Sequence, residues 1–442
     1  MKMGSEMNLK SVVIVVIAML LISSFPVTNI CRHSSISILT EEKTLQSYSL
    51  PPPKKIEMPL EIAIARRKSI REFNETPISD EILSTILWAA YGYINDEKRT
   101  VHGLEGYASK IYVLKEDAVY FYDPANHSLV FYKEGDYRRR VAQYEAPIQL
   151  GIVWNKSKSS NENYVAAEIG QIGQNIYFMA NALGLGAVTT VGYTLSAIGL
   201  PSNEIPKIIM PLGYPKCPYN FTYKPMLLSN LPPVKNSTMA LSDAICNRSE
   251  TTTWGGEINE QQISQLLWAA YGFSYYIDNC ITEKNKIVRH RTVPSAHAYY
   301  PLKIYAVTKD GVYRYVAGLY RYYMWNLPVL HSLVKIRHGD YRKEIADASS
   351  MPSISSASLI LISVLDIRMT KGMIGLWDDF SGEEFRWLWY YEAGASAYNI
   401  LLEATAWNLS ANIVLPTDSQ SILNVLLLNQ NFLPLLIVPV GE

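Results

Sequence analysis

Leu87-Trp88-Ala89-Ala90-Tyr91-Gly92 recurs letter for letter as Leu267-Trp268-Ala269-Ala270-Tyr271-Gly272. Further along the chain, Arg99-Thr100-Val101 returns as Arg291-Thr292-Val293, and His127-Ser128-Leu129 as His331-Ser332-Leu333. Gly135-Asp136-Tyr137-Arg138 matches Gly339-Asp340-Tyr341-Arg342, and Glu168, Gly170 and Asn175 match Glu392, Gly394 and Asn399. The numbering offset grows through 180, 192, 204 and 224 while the order is kept. A conserved order with growing offsets describes one domain duplicated, the second copy carrying insertions, and excludes the short fixed period of a solenoid.

Each copy reads as mixed α and β. An Ile/Leu/Trp face predicts a helix from Ser79 to Tyr91, with Ser79 as N-cap. Lys110 to Leu114, Val119 to Tyr122, Lys303 to Val307 and Gly311 to Tyr315 read as hairpin strands. Tyr164 to Leu183 reads as a long helix whose Ala166, Ala167, Gly170 and Gly173 permit close packing. Gly184-Leu185-Gly186 stops it, as glycine does just past a helix. Val188 to Val191 and Ile208 to Leu212 close the copy as strands. Lys216 to Ala244 is rich in Pro, Asn and Ser and reads as a linker. The division is therefore 1–56 as signal or anchor plus tether, 57–215 as copy one, 216–244 as linker and 245–442 as copy two.

Composition bounds the function. Of 442 residues, 48% are hydrophobic and 18% charged, ample for a packed core and unlike a disordered chain. Lys+Arg and Asp+Glu number 40 each, which argues against a protein that tracks nucleic acid by bulk charge. Four cysteines exclude a disulfide-built scaffold, and the seven His show no metal-ligand spacing. The 31 Tyr and 9 Trp predict large aromatic surfaces in core or pocket.

Lys2 and Lys10 precede an apolar run from Val12 to Ile22, followed by Ser23-Ser24-Phe25-Pro26. This reads as a secretory signal, or, uncleaved, as an N-terminal membrane anchor. The run is short of the roughly 20 residues a spanning helix needs. Seven Asn-x-Ser/Thr triplets, from Asn74 to Asn408, fit export but arise readily by chance. Cys217 and Cys246 flank the linker, so they are either a pair across it or buried free thiols; Cys31 lies in the tether and Cys280 is left over.

Two segments suggest chemistry. In Arg66-Arg67-Lys68-Ser69-Ile70-Arg71, an extended path would aim Arg67, Ser69 and Arg71 to one side. Two guanidiniums and a hydroxyl suit a phosphate dianion; a solvated basic face is the competing reading. Arg291-Thr292-Val293-Pro294-Ser295-Ala296 is a small-residue loop that lets backbone N–H groups and a hydroxyl approach a planar ligand, or is only a turn.

Together these blocks, "RKSIREF", "ILWAAYG", "RTVPSAHAYYPL", "HSL…GDYR" and "EIGQIGQNIYFMANALGLG", resemble the FMN-dependent nitroreductase superfamily. The branch they resemble is the SagB type, which includes azoline oxidases. The resemblance covers nearly everything after residue 57, twice. It implies an α+β nitroreductase-like fold and, because the family is a dimer with FMN at the subunit interface, an intramolecular pseudo-dimer. By the same resemblance Arg67, Ser69 and Arg71 hold the FMN phosphate, with Lys216 and Lys224 in the basic tail. Pro294, Ser295 and Ala296 line the isoalloxazine, and Thr190, Val191 and Gly192 pass the flavin. The implied chemistry is hydride exchange at flavin N5 without a covalent nucleophile, on a small-molecule or peptide substrate and with NAD(P)H as a candidate donor. No catalytic residue is assigned.

The copies differ in what they keep. Copy one retains the Arg/Ser/Arg opening, but its loop reads Arg99-Thr100-Val101-His102-Gly103-Leu104. Copy two retains Pro294-Ser295-Ala296, but at the offset of 180 its opening reads Asn247-Arg248-Ser249-Glu250-Thr251, without either aligned arginine. These complementary losses predict one composite FMN site per chain and a monomer acting as a pseudo-dimer. His297 is either a ring-facing acid/base or a surface loop residue. The insertions at 317–329 and 370–390 are either a substrate wall or a cover for the degenerate site. The alternative for the whole chain is an exported binding or structural protein that has kept the fold and lost the flavin.

Overall fold

The computed structural model describes residues 46–95, 98–104, 106–217, 221–223, 228–274, 276–278, 290–318, 330–371 and 378–442. The apolar N-terminal run, Cys31, Lys224, Cys280 and most of the 317–329 insertion lie outside these residues. Copy one comprises β1 (Tyr48–Ser49), α1 (Leu60–Arg66), α2 (Asp80–Tyr91), β2 (Ser109–Leu114), β3 (Ala118–Asp123), β4 (Ser128–Glu134) and β5 (Ile148–Asn155). It continues through α3 (Glu162–Ala182), β6 (Gly186–Ala187), β7 (Thr190–Val191) and β8 (Glu204–Gly213). After β9 (Phe221–Tyr223) and β10 (Leu228–Ser229), copy two repeats the plan with α4 (Leu241–Asn247), α5 (Glu260–Tyr271), β11 (Tyr276–Asp278), β12 (Leu302–Thr308), β13 (Gly311–Val316) and β14 (Leu330–His338). It ends with β15 (Leu359–Asp366), α6 (Arg386–Ala406), β16 (Ser410–Ala411) and β17 (Phe432–Gly441).

The sheets are twins. Copy one orders its strands β1-β4-β3-β2-β5-β8-β6, with β7 also on β8; copy two orders them β10-β14-β13-β12-β15-β17-β16. Within each, the central pairings are antiparallel. The central strands β5 and β15 are buried along almost their whole length, as expected for apolar runs covered on both faces. One apolar cluster beneath each sheet belongs to that copy alone. The main core is shared: Leu60, Leu87 and Ile172 sit in the same cluster as Leu241, Leu267 and Leu401.

Two contacts define the pseudo-twofold relation. Leu60 N donates to Met239 O at 3.1 Å, and Leu241 N to Met58 O at 2.8 Å, the same bond made reciprocally. At the crossing of α3 and α6, a Cβ on Gly170 would lie 2.0 Å from Tyr391 O, and one on Gly394 would lie 2.0 Å from Ala167 O. Only glycine lets the two helix backbones approach this closely, which explains its recurrence in both copies. Two α+β domains in tandem, joined as an intramolecular pseudo-dimer, are therefore the architecture.

Some expectations change. The described end of the segment read as a linker is structured, because β10 adds to β14 as a parallel edge strand and Asn230 Nδ2 donates to Leu333 O at 2.8 Å. Likewise Leu50 and Ile56, placed in the tether, are buried, and β1 pairs with β4. The apolar face of each sheet requires this cover, so each copy begins with an extended arm before its first helix. Cys217 is disulfide-bonded and Cys246 is a free, half-buried thiol, so the two do not pair. The strand expected from Val188 to Val191 is only β7, since Thr189 turns away toward copy two. No helix among the described residues is long and apolar enough to cross a membrane.

Candidate functional site

Helix α1 ends because Arg67 leaves helical geometry at φ −55°, ψ 120°. The chain then runs beside β6, with Ile70 N donating to Ala187 O at 2.9 Å. A Cβ on Gly186 would stand 2.7 Å from Ile70 Cβ, so glycine is needed for this approach. Arg67 is 2% exposed and reaches into copy two, where its Nε donates to Arg291 O at 3.1 Å. Its guanidinium lies 5.3 Å from the Tyr177 ring centroid, and its buried Nη1 has no partner among the described residues. A buried cation with an unused donor is costly unless an anion meets it. Ser69 Oγ lies 3.3 Å from Tyr177 Oη, which accepts from Thr189 N at 2.8 Å. Arg71 is exposed beside Tyr144, and exposed Lys216 is held next to it by its N–H to Glu72 O at 3.1 Å. The basic groups therefore gather at one end of the sheet, although Arg67 faces inward and Arg71 outward.

The loop from Arg291 to Tyr300 supplies the other side. Pro294 is buried and Ala296 half-buried. Ser295 Oγ donates to Glu392 Oε2 at 2.5 Å and accepts from Tyr300 N at 2.9 Å. Positive φ at His297 (48°), Ala298 (56°) and Tyr300 (49°) concentrates left-handed backbone here, a cost that only surrounding contacts can hold. Glu392, on α6, is fully buried and also accepts from Tyr271 Oη. Burial pushes its carboxyl up to about 7, opposed by the Ser295 and Tyr271 hydrogen bonds and by Arg291. The Arg291 guanidinium lies within 5.0 Å of the Tyr271, Phe273 and Tyr300 ring centroids.

His297 is exposed, with its ring 4.9 Å from Phe380 and 6.0 Å from Tyr299. Phe380 and Trp389 belong to the 370–390 insertion, and Tyr299 Oη donates to Asp378 O at 2.7 Å. Trp389 stacks on Tyr299 at 6.4 Å. The described part of that insertion thus covers the Pro-Ser-Ala loop.

The third segment departs from expectation in detail. Thr190 Oγ1 donates to Ile209 O at 3.0 Å inside its own sheet, and Gly192 N to Lys207 O at 2.9 Å. Val191 is 42% exposed. The side chain that faces copy two is Thr189, whose Oγ1 lies 2.7 Å from Tyr391 Oη. Tyr177, Thr189, Tyr391, Glu392 and Arg291 therefore join the constellation without having been singled out as site residues. A position-by-position comparison of the copies carries the signal: at the offset of 224, Tyr391 stands against Ala167 and Tyr177 against Leu401. The hydroxyl pair Thr189–Tyr391 and the Tyr177 hydroxyl thus lie at the Arg67 pseudo-site, whereas their counterparts at that offset are apolar.

The other pseudo-site corrects the alignment of the openings. Arg248 caps α4 at φ −49°, ψ 120°, as Arg67 caps α1, and the equivalent Leu60 and Leu241 are 181 apart, not 180. One arginine is thus present in copy two. It is 1% exposed and each of its nitrogens is bonded: Nη1 donates to Thr100 O at 2.7 Å, Nη2 to Arg99 O at 3.2 Å, and Nε and Nη2 to Glu250 Oε1 at 3.0 and 2.6 Å. Glu250 takes the place of Ser69, and His102 Nε2 lies 3.8 Å from its other oxygen and 2.9 Å from Asn412 Oδ1. An internal carboxylate meets the cation here, whereas Arg67 has none among the described residues.

Comparisons with known proteins bear on the fold and the family. A protein of Methanocaldococcus jannaschii, provisionally named a nitroreductase, is 33% identical over 182 residues, 36% of this chain and 91% of that protein. A crystal structure from Anabaena variabilis, likewise provisionally named, superposes with a TM-score of 0.61 at 15% identity over 91% of this chain and 94% of its own. It therefore shares the fold across both copies. A protein of that description from Desulfovibrio desulfuricans, solved in complex with FMN, is 24% identical over 36% of this chain and 88% of its own, with a TM-score of 0.27. The nitroreductase family itself matches residues 64–214 and 256–442. The chain thus belongs to the nitroreductase family of oxidoreductases, carrying its domain twice.

Proposed function

We propose that this chain is an FMN-dependent oxidoreductase of the SagB type with one composite flavin site. The observation that carries the reading is the buried, unpartnered Nη1 of Arg67, placed by Nε against the carbonyl of Arg291 three residues before Pro294. Arg67, Ser69, Arg71 and Lys216 would hold the phosphate; Pro294, Ser295, Ala296 and the Thr190-Val191-Gly192 segment would flank the ring, with Thr189 added. When bound, FMN supplies two-electron hydride exchange at N5. The chain's own contribution is to neutralise the phosphate, exclude water with the Tyr177, Tyr391 and Tyr300 rings, and cover the loop with Phe380 and Trp389. The substrate is a small molecule or peptide, with NAD(P)H as candidate donor. The basic, then apolar N-terminus supports export or membrane tethering, as does the disulfide at Cys217.

Purified protein should be yellow and release one FMN per chain on denaturation. Arg67→Ala with Arg71→Ala removes charge-assisted bonds, each worth about 1.5–3 kcal/mol, and should weaken FMN binding by roughly a hundredfold or more. Arg248→Met should keep one FMN per chain. A colourless protein that takes up no added FMN would overturn the reading in favour of a non-catalytic exported protein. Two FMN per chain would overturn the single site.

A further inference from the structure

Hydride exchange with a substrate whose oxidised form is neutral, such as an alcohol, amine or hydroquinone, leaves a proton to be moved as well, and the structure holds one group suited to it. Glu392 and Glu168 are counterparts at the offset of 224, both fully buried, both bonded by a tyrosine hydroxyl. They differ in their second partner. Glu168 accepts from Ser109 N, and the Ser109 hydroxyl beside it is buried on β2, away from the loop. Glu392 instead accepts from Ser295 Oγ at 2.5 Å, and Ser295 is half-buried, on the loop that approaches Arg67. At the matching positions copy one has His102-Gly103 and no hydroxyl. Among the described residues, a hydroxyl links the loop to a buried carboxyl in the half where Arg67 Nη1 has no partner, and not in the other.

Resting on the flavin reading above, we propose that Ser295 and Glu392 form a proton relay for the substrate. In the oxidative direction a substrate C–H bond breaks and its electron pair leaves as hydride to FMN, so the substrate is oxidised and FMN reduced. The substrate's second proton, from N–H, O–H or an adjacent C–H, passes to Ser295 Oγ as the Ser295 proton passes to Glu392 Oε2, leaving the carboxyl neutral. Reduction of an acceptor runs the same transfers backward. Tyr271 Oη holds Oε1 and so fixes the carboxyl's orientation, while Tyr300 N holds Ser295 Oγ. The charged and titratable groups facing Glu392 are Tyr271 from α5, Arg291 and Tyr300 from the loop, and Tyr391 beside it on α6. Burial outweighs Arg291, so Glu392 changes protonation near neutral pH, the range in which a relay works in both directions.

The test uses FMN-loaded full-length protein, reduced anaerobically with dithionite and mixed with menadione, an acceptor that takes up hydride and a proton. Reoxidation followed by flavin absorbance should slow as pH rises through about 7 in the wild type. Glu392→Gln and the milder Ser295→Ala should each lose the pH step and slow by roughly 100-fold, the usual scale of a positioned proton donor. Glu168→Gln should keep both rate and step. In flavin-free protein, a carboxyl C=O infrared band should titrate near neutral pH, vanish in Glu392→Gln and move in Ser295→Ala. Protein that binds FMN, yet keeps the wild-type pH step in both Glu392→Gln and Ser295→Ala, overturns the relay while leaving the flavin site standing. Protein that binds no FMN overturns the flavin reading, and the relay with it.

Discussion

Arg67 and Arg248 start from the same place, one residue past the first helix of each copy, and meet opposite fates. Arg248 spends its donors on Thr100, Arg99 and Glu250, whereas Arg67 keeps a buried nitrogen unused. Glu250→Gln would strand the Arg248 charge and should cost about 3 kcal/mol in urea unfolding, without releasing FMN. The folded-state value of Glu392 is raised from 4.5 to about 7 by burial. Its penalty is absent below 4.5, grows as pH rises and is complete above 7, on the order of 3 kcal/mol. Glu392→Gln should therefore flatten the fall in Tm between pH 5 and 8 (about those values), measured by calorimetry. His331 has the opposite sign: burial lowers it from 6.5 to about 4, so its contribution is present above 6.5 and is lost as pH falls through 4. The basic cluster and the Pro-Ser-Ala loop were legible as residues. Thr189, Tyr177 and Tyr391 were not, because a hydroxyl inside an apolar helix or short strand has no local pattern to mark it.

At the scale of elements, the 3.6-residue and two-residue periods located α2, α3 and the hairpin strands within a few residues, because each buries one well-defined face. The arms before α1 and α4 escaped that reading, since Pro, Asn and Ser promise a loop and only the neighbouring sheet edge makes them strands. The crossing of α3 and α6 shows how little space the elements leave. A methyl at Gly394 would sit 2.0 Å from a backbone oxygen that has no freedom to retreat. Gly394→Ala should destabilise the protein by at least 1–3 kcal/mol, roughly the cost of an overpacked core, read as a lower urea midpoint with an unchanged m-value. If the helices must part to admit it, FMN affinity should fall too, since Tyr391 lies on α6 and Arg67 and Tyr177 belong to copy one.

At the scale of the molecule, residues 45–442 form one compact unit whose central core draws on both copies. The chain should unfold in a single calorimetric transition, and a fragment ending at residue 227 should be insoluble, because it would expose the faces of α1 and α3 that α4 and α6 cover. Two separated transitions would contradict the shared core. The sequence alone determined the duplication, the α+β class and the family, because these rest on repeated residues and on periods that each segment carries within itself. It also showed that the two openings and the two loops had diverged. Only the tertiary structure decided which arginine meets which loop, that Glu250 neutralises Arg248, and that Glu392 is linked to Ser295. The first and last of these depend on groups 224 and 97 residues apart being brought within a hydrogen bond, a separation over which no local pattern speaks, and the second on the backbone path after α4 that sets Glu250 against Arg248 two residues before it.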